Sequence, residues 1–305
     1  MSLETDLLLD RRRLKRRLSF WRILAVIALV VAIVVATGRT GLNPPTRLHV
    51  ARVSITGTIS DSPKLTEAIS KLADDRSVAA LIVRIDSPGG SVAGGEGLHD
   101  AIVRVAAKKP VVSVMAGLAA SAGYMIAVPA ARIFARESTL TGSIGVLLET
   151  GEVSGLLARL GIGAESITSG PLKDQPGFTH PLSEAGRAAL RDIVHDLYEQ
   201  FVAIVATGRH MDPERVRALA DGRAYTGRQA LGLGLVDAIG DETTARAWLA
   251  AEHHVSVDLP VRDLHVDDWR DQLRNQLSGA ISDALFGVRA GTAARLDGAW
   301  AVWQP

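Results

Sequence analysis

One serine stands in a run of small residues, where a nucleophile would have room to meet a substrate. Ser121 lies in AGLAASAGYMIAVPA (116–130), among alanines and glycines and shortly before an apolar segment. A serine hydroxyl attacks a carbonyl when a base takes its proton and when donors stabilise the oxyanion. The alternative is that Ser121 is a small residue at a point where two backbones crowd together. The choice between a nucleophile and a small packing residue depends on whether the chain also supplies a base and donors for the oxyanion.

A solitary lysine is the candidate base. Lys173, in ITSGPLKDQPGF (167–178), is the only lysine between Ser121 and the end of the sequence, although arginine is frequent over the same stretch. Arginine keeps its proton, whereas a desolvated lysine amine loses its charge and can then act as a base. Neither His180 nor His195 lies in a recognisable catalytic turn. The alternative for Lys173 is an ordinary surface lysine in a loop.

A glycine-rich turn offers donors for an oxyanion. DSPGGSVAGGEG (86–97) follows a predicted strand, and its spacing matches neither of the glycine patterns that bind nucleotide phosphates. Gly89 and Gly90 have no Cβ, so their backbone N–H groups can point outward toward a developing negative charge. A second donor is the N–H of Ala122, at the start of the helix predicted after Ser121.

Strands and helices alternate along the chain and predict an α/β domain over about residues 48–250. Three segments have the apolar pattern of strands: 49–57, 79–85 and 110–115. Two segments have helical spacing: 62–75 and 183–208. Apolar residues of the second helix, from Leu190 through Ile193 to Val205, form a stripe that we expect to face the core.

The N-terminal segment predicts a membrane anchor. A basic tail, residues 1–19, precedes the apolar segment 20–37, which as a helix would be roughly 27 Å long, nearly the thickness of the hydrocarbon layer. Basic residues before the span predict a cytoplasmic N-terminus and an exported body. A signal peptide cleaved near Ala36 is the alternative, and it also exports the body. Residues 38–47 are rich in glycine and proline and predict a linker.

Composition excludes several classes of function. The net charge of +1 gives no support to nucleic-acid binding, which usually needs a concentrated basic face. The absence of cysteine excludes structural disulfides and thiolate chemistry. We expect no cofactor and no metal. In the tail, 251–305, residues 267–288 predict an amphipathic helix that packs on the body or on a neighbouring subunit, with the membrane surface as the alternative.

Five motifs occur in an order that resembles one family. They are DSPGG (86–90), GLAASAGYMIA (117–127), STLTGSIGV (138–146), SGPLKD (169–174) and GRAYTGRQALGLGLVDAIG (222–240). This set resembles the short bacterial signal peptide peptidases of the SppA type. The resemblance implies a Clp-protease-like, crotonase-related α/β fold of repeated ββα units, and a serine peptidase that works through a Ser-Lys dyad.

The resemblance also implies a role for each site residue. Ser121 corresponds to the nucleophile and Lys173 to the general base. The N–H of Gly90 corresponds to an oxyanion donor, with the N–H of Ala122 as its companion. Ser143 corresponds to a serine that holds the lysine in place. One position departs from the family, since Ala122 stands where glycine is usual.

The function implied is the degradation of signal peptides left in the bacterial inner membrane, by a homo-oligomeric ring on the extracytoplasmic side. Each active site of such a ring is completed across a subunit boundary. Three alternatives stay open: a related membrane peptidase that cleaves stomatin-like proteins, a crotonase-type acyl-CoA enzyme, and a non-catalytic membrane scaffold. Export away from cytosolic CoA weighs against the second.

Overall fold

The structure is a computed structural model that describes four parts of the chain: residue 17 and residues 21–26, 48–264 and 300–302. The chain divides into one unit over residues 1–47 and a second over 48–305. In the first unit the described residues are helical. Most of the predicted anchor and the whole predicted tail helix lie outside the described residues.

No helix in the described part of the chain is long and apolar enough to cross a bilayer.

The second unit alternates strands with helices, as the sequence predicts. Its strands are β1 (His49–Thr56), β2 (Val78–Ser87), β3 (Gly89–Ser91), β4 (Val111–Ala120), β5 (Arg132–Ala135), β6 (Leu140–Gly142), β7 (Ala224–Thr226), β8 (Ala238–Ile239), β9 (Val261–Asp263) and β10 (Trp300–Val302). Its helices are α1 (Pro63–Leu72), α2 (Val92–Ala106), α3 (Ala122–Met125), α4 (Ser154–Arg159), α5 (Glu184–Arg209), α6 (Pro213–Leu219), α7 (Gly227–Leu233) and α8 (Glu242–His253). The order strand, strand, helix occurs at β2–β3–α2 and again at β5–β6–α4.

The main sheet is mixed, with strand order β7-β6-β4-β2-β1-β9, and β5 joins it between β4 and β8. All its pairs are parallel except β6 with β7. The long strand β4 pairs with β5 near its start and with β6 near its end. Because β4 and β6 are parallel, their carboxyl ends lie side by side, and this edge carries the candidate site.

The sheet is buried on both faces. In β2, Leu81, Val83 and Ile85 face the larger apolar core. Ala80 and Ile82 face a smaller core, which α8 covers. This alternation explains why the sequence of the strand is continuously apolar, as expected for a parallel strand packed between layers.

The three strands and two helices predicted within residues 48–250 are confirmed, but the apolar stripe on α5 is only partly correct. Phe201 and Val205 are fully buried, whereas Ile193 is 50% exposed and Leu190 is half-buried. The N-terminal half of α5 therefore extends beyond the core of its own chain. Its apolar residues keep the helical period that the sequence shows, but in the described part of the chain Ile193 stays half exposed.

A second, two-stranded sheet lies beside the main one. It consists of β3, which follows the DSPGG turn, and β10, in antiparallel pairing. On its other edge β3 meets Ile59 in an isolated bridge.

Candidate active site

Ser121 occupies a strained turn between β4 and α3. Its backbone has φ 56° and ψ −123°, a conformation that residues with a Cβ rarely adopt. Its N–H donates to the carbonyl of Gly142 at 2.8 Å, and its carbonyl accepts from the N–H groups of Tyr124 and Met125. Strain of this kind costs about 1–3 kcal/mol and persists where the surroundings impose it, often at functional sites.

Ser143 lies next to Ser121, at the end of the neighbouring strand β6. Ala120 and Gly142 are paired residues of β4 and β6, so the two serines follow at the same edge of the sheet. Ser143 also has a positive φ, 47°, and its N–H donates to the carbonyl of Arg223 at 2.9 Å. Two adjacent strained serines are a feature that the sequence did not reveal, because the strain comes from contacts with distant segments.

The hydroxyl of Ser121 is buried and has no partner. Ser121 is 1% exposed, and its Oγ makes no hydrogen bond to any residue that the structure describes. Most buried hydroxyls in proteins are hydrogen-bonded, so an unpartnered one requires an explanation. A nucleophile whose base comes from outside this chain would provide that explanation.

Gly90 must be glycine because the backbone of Ile59 runs directly against it. A Cβ at position 90 would lie 1.8 Å from the Ile59 carbonyl oxygen. The helix that begins after Ser121 packs against β3, so this turn and Ser121 are neighbours. The structure thus brings together Ser121, Ala122, Gly90 and Ser143, four of the five residues predicted from the sequence.

The alanine at position 122 fits because glycine faces it. Ala122 is fully buried, and a Cβ built on Gly95 of α2 would lie 3.0 Å from its methyl group. The departure from the family pattern is therefore accommodated by the small residue opposite. The N–H of Ala122 stays in place as the first of the short helix α3.

Behind the serine, α3 is held by a buried polar cluster that the sequence analysis missed. The Tyr124 hydroxyl donates to the Leu235 carbonyl at 2.8 Å, and burial raises the pKa of Tyr124. Nearby, Arg209 donates to the Asp237 carboxylate and to the Gly234 carbonyl. The signal available in the sequence was a tyrosine in an otherwise small and apolar segment, since a buried tyrosine hydroxyl needs a partner.

Lys173 is not brought to Ser121 within one chain. It lies in the loop between α4 and α5, it is exposed, and its backbone N–H donates to the Gly170 carbonyl at 3.1 Å. The predicted Ser-Lys contact is therefore absent from the described part of the single chain, and the Ser121 hydroxyl has no hydrogen-bond partner there. Its role as the base stays a prediction.

The loop beside Lys173 is fixed by an ion pair between Asp174 and His180. Nε2 of His180 lies 2.9 Å from Oδ2 of Asp174, and its Nδ1 lies 3.2 Å from the Pro181 carbonyl oxygen. Both partners offer acceptor oxygens, and only the imidazolium form donates from both ring nitrogens, so these contacts favour the protonated ring. Gln175 adds a second anchor, because its side-chain oxygen accepts from the N–H of Ser183. Lys173 thus immediately precedes a fixed segment.

This ion pair predicts a pH-dependent loop. The Asp174 carboxylate, and then the Pro181 carbonyl, raise the pKa of His180 above its ordinary value of 6.5. Because the folded-state pKa is raised, the contribution to stability is complete below the unfolded value and is lost as pH rises through the folded value. We expect the His180 ring to titrate above 6.5 in an NMR experiment, and Asp174→Asn to lower that midpoint. A midpoint at or below 6.5 in the unmodified protein would contradict the ion pair.

A pocket of about 390 Å³ opens beside Ser143. Its lining combines apolar residues, among them Val146, Leu147 and Val194, with the polar or charged Arg191, His195 and Asp221. It lies against the half of α5 that extends beyond the core. The pocket could therefore receive an apolar side chain of a peptide or a segment of a second subunit.

No group of three or more potential metal ligands occurs in the part of the chain that the structure describes.

Two family profiles match the chain. The profile named Clp protease matches residues 46–142, and the profile named Peptidase family S49 matches residues 104–256. The first covers the strands and turns that position Gly90 and Ser121. The second covers the region from α2 to α8, including Lys173.

Three curated relatives are similar to this chain. The putative protease slr0021 of Synechocystis sp. is 40% identical over 206 residues, which cover 67% of this chain and 74% of the relative. The putative signal peptide peptidase SppA of Enterococcus faecium is 35% identical and is matched over 63% of this chain and 60% of its own length. Protease 4 of Salmonella typhi is 35% identical over 65% of this chain, but this chain spans only 31% of that protein.

These findings define the class of the protein as a serine peptidase with a Clp-protease-like α/β fold. The chain belongs to peptidase family S49.

Proposed function

We propose that this chain is a membrane-anchored endopeptidase in which Ser121 attacks the peptide carbonyl and Lys173 is the general base, and that it degrades signal peptides remaining after preprotein processing. The observation that carries the proposal is the Ser121 hydroxyl, which lies at a strained turn beside Gly90 and has no hydrogen-bond partner among the residues that the structure describes. The name of the Enterococcus relative supports the substrate class.

The chemistry is acyl transfer in two steps. Neutral Lys173 takes the proton of the Ser121 hydroxyl as its oxygen bonds to the carbonyl carbon. The N–H groups of Gly90 and Ala122 stabilise the oxyanion, and Ser143 orients the lysine. The peptide C–N bond then breaks, and Lys173 gives its proton to the leaving amine. Water hydrolyses the acyl-enzyme by the same proton transfers in reverse.

We further propose that Lys173 acts in the active site of a neighbouring subunit. It is exposed in its own chain, and several large apolar residues of the segment around it are exposed too: Val153, Leu156, Leu160, Ile162, Ile167 (96%), Leu172 and Phe178. So much exposed apolar surface is typical of an interface. A neighbour that covers it would also desolvate the amine, which favours the neutral form that a base requires. A repeated heterologous contact closes into a ring.

The location follows from the N-terminal sequence. Residues 20–37 are proposed to span the bacterial inner membrane, with the basic tail in the cytoplasm and the body on the outer side. The apolar character of signal peptides fits an enzyme held at the membrane surface. The pocket beside Ser143, whose lining includes Val146 and Leu147, offers a place for an apolar side chain.

Hydrolysis of synthetic signal peptides tests the function. We expect the full-length protein in detergent to cleave them at internal bonds, with products identified by mass spectrometry, and Ser121→Ala to leave them intact. Peptides from stomatin-like proteins form the comparison series. Preference for that series would favour the alternative substrate, and no cleavage of either together with no labelling of Ser121 by a phosphonate would favour a scaffold.

Mixed assemblies test the shared site. Ser121→Ala and Lys173→Ala are each expected to be inactive, but co-assembly places some intact serines beside intact lysines across an interface. We expect co-expressed variants to regain a part of the activity, measured after purification through two different tags. Mixed oligomers as inactive as either parent would locate the pair within one chain.

A further inference from the structure

The strand that leads into the serine turn has an irregular pairing just before that turn. Along β2 and β4 the register is regular as far as Met115 of β4, and the next pair is at Ala119. Between these two points β4 has three residues, 116–118, where β2 has only Asp86. Bulges of this kind bend a strand and are frequent next to active sites, where they redirect a side chain. We call residues 116–118 the widened stretch.

The widened stretch also lies where β4 passes from one neighbouring strand to another. On the edge away from β2, β4 pairs with β5 as far as Val114 and with β6 from Leu118 onward. Among the described strands, Ala116 and Gly117 therefore have no pairing partner on either edge. Because the sheet ladder does not hold this part of the backbone, side chains have to hold it.

On the side of β2, the widened stretch is held by Asp86. Its Oδ1 accepts from the Leu118 N–H at 3.1 Å. A Cβ built on Gly117 would lie 3.5 Å from the same oxygen, so the carboxylate lies directly against the stretch. The side chain of Asp86 thus takes the place of the backbone acceptor that β2 would offer in a regular ladder.

On the other side, two buried threonines hold the strand. The Thr139 hydroxyl donates to the Ala116 carbonyl at 2.6 Å, and the Thr141 hydroxyl donates to the Ala119 carbonyl at 2.7 Å. Both threonines are almost completely buried, so water does not compete for their hydroxyls. These two bonds attach β4 to β6 and to the segment that leads into β6.

The three side chains act immediately before the strained serine. Ala120 pairs with Gly142, and the Ser121 N–H donates to the Gly142 carbonyl at 2.8 Å. The φ of 56° at Ser121 costs energy and persists only while the surroundings impose it. If the widened stretch relaxed, the turn that follows it could relax as well, and the hydroxyl would move.

We propose that Asp86, Thr139 and Thr141 are positioning residues for Ser121, because their hydrogen bonds hold the widened stretch and so direct the hydroxyl toward the substrate carbonyl. This inference rests on the proposed function, since it takes Ser121 as the nucleophile. Displacement of a reacting group by about 1 Å can lower turnover by about 10²-fold. Peptide binding, in contrast, does not depend on the direction of the hydroxyl.

Two substitutions of Thr141 separate its hydroxyl from its shape. Thr141→Val keeps the branched shape and removes the donor to the Ala119 carbonyl, whereas Thr141→Ser keeps the donor. We expect kcat for a peptide substrate to fall by roughly 10- to 100-fold in Thr141→Val with an unchanged KM, and Thr141→Ser to recover most of the activity. The same two changes at Thr139 test the second hydroxyl.

Ser113→Ala is the matched control for Thr141→Val. Ser113 lies earlier on β4, and its buried hydroxyl also donates to a backbone carbonyl, that of Ala127. We expect Ser113→Ala to lower the free energy of unfolding but to keep kcat. An equal fall of kcat in both variants, or an unchanged kcat in Thr141→Val, would overturn the proposal.

Asp86→Asn and Asp86→Leu make the corresponding comparison on the side of β2. Asparagine keeps an oxygen that can accept from the Leu118 N–H, whereas leucine does not. We expect Asp86→Asn to keep most of kcat, and Asp86→Leu to lose kcat as Thr141→Val does and to speed amide hydrogen exchange at Leu118. An equal loss in Asp86→Asn and Asp86→Leu would contradict the role given to this hydrogen bond.

The rate at which a serine-reactive phosphonate labels Ser121 provides a readout that needs no peptide. We expect Thr141→Val and Asp86→Leu to lower this rate along with kcat, and Ser113→Ala to leave it unchanged. Unchanged labelling in Thr141→Val and Asp86→Leu would show that Ser121 is not displaced, against the proposal. Failure of the proposed function would appear separately, as peptide hydrolysis that survives Ser121→Ala.

Discussion

Replacement of Ser121 by alanine is expected to reduce peptide hydrolysis by a factor on the order of 10⁴ to 10⁶, because the only proposed nucleophile is lost while the fold is kept. The removed hydroxyl makes no hydrogen bond to the described residues, so its loss leaves none of their buried groups unsatisfied. We therefore expect the free energy of unfolding to be unchanged or slightly larger, since alanine buries no polar atom. Turnover of a fluorogenic peptide and chemical denaturation measure the two effects.

Ser143→Ala is the matched control for this substitution. Ser143 lies at the end of the neighbouring strand and has the same kind of strained backbone, but its proposed role is to orient the lysine. We expect turnover to fall by about 10- to 100-fold, less than the full contribution of a general base, which is roughly 10²- to 10⁴-fold. If Ser143→Ala lost as much peptidase activity as Ser121→Ala, and Ser121→Ala kept residual activity, Ser143 would be the nucleophile and Ser121 the residue that orients the lysine.

Lys173→Arg is expected to be as inactive as Lys173→Ala, with turnover lowered by roughly 10²- to 10⁴-fold in both. Arginine keeps the positive charge and much of the length of the side chain, but it does not give up its proton and so cannot act as a base. The exposure of Lys173 in the single chain means that neither substitution disturbs a buried contact there. Steady-state kinetics of the assembled protein give the measurement.

The exposed Lys71 supplies the control for a lysine-to-arginine change as such. It pairs with Glu67 on the surface of α1, and Lys71→Arg keeps that ion pair, so activity should not change. Substantial turnover by Lys173→Arg would remove this lysine from the mechanism. If Lys173→Ala lost peptidase activity and Lys173→Arg kept all of it, Lys173 would instead have a purely electrostatic role.

Local pattern was sufficient for three strands (β1, β2 and β4) and two helices (α1 and α5) of the fold. Strand β2 is continuously apolar because layers cover both faces of the sheet, and this property is visible in the sequence of the strand. The predicted bounds of α5 agree with the structure, but the predicted burial of its apolar face holds only in part. Helical periodicity shows which residues share a face of a helix, but not whether another element covers that face. Ile193 has the right spacing for the core and is half exposed.

The sequence by itself determined the family, the candidate nucleophile and the glycine turn, because motif residues and their order are properties of the chain. It also determined that Lys173 is the only lysine after Ser121. The tertiary structure decided what depends on distant contacts. The parallel pairing of β4 and β6 places Ser121 beside Ser143, and the close approach of the Ile59 backbone requires glycine at position 90. Hydrogen bonds and close approaches between remote segments fix these positions, and no local pattern records them.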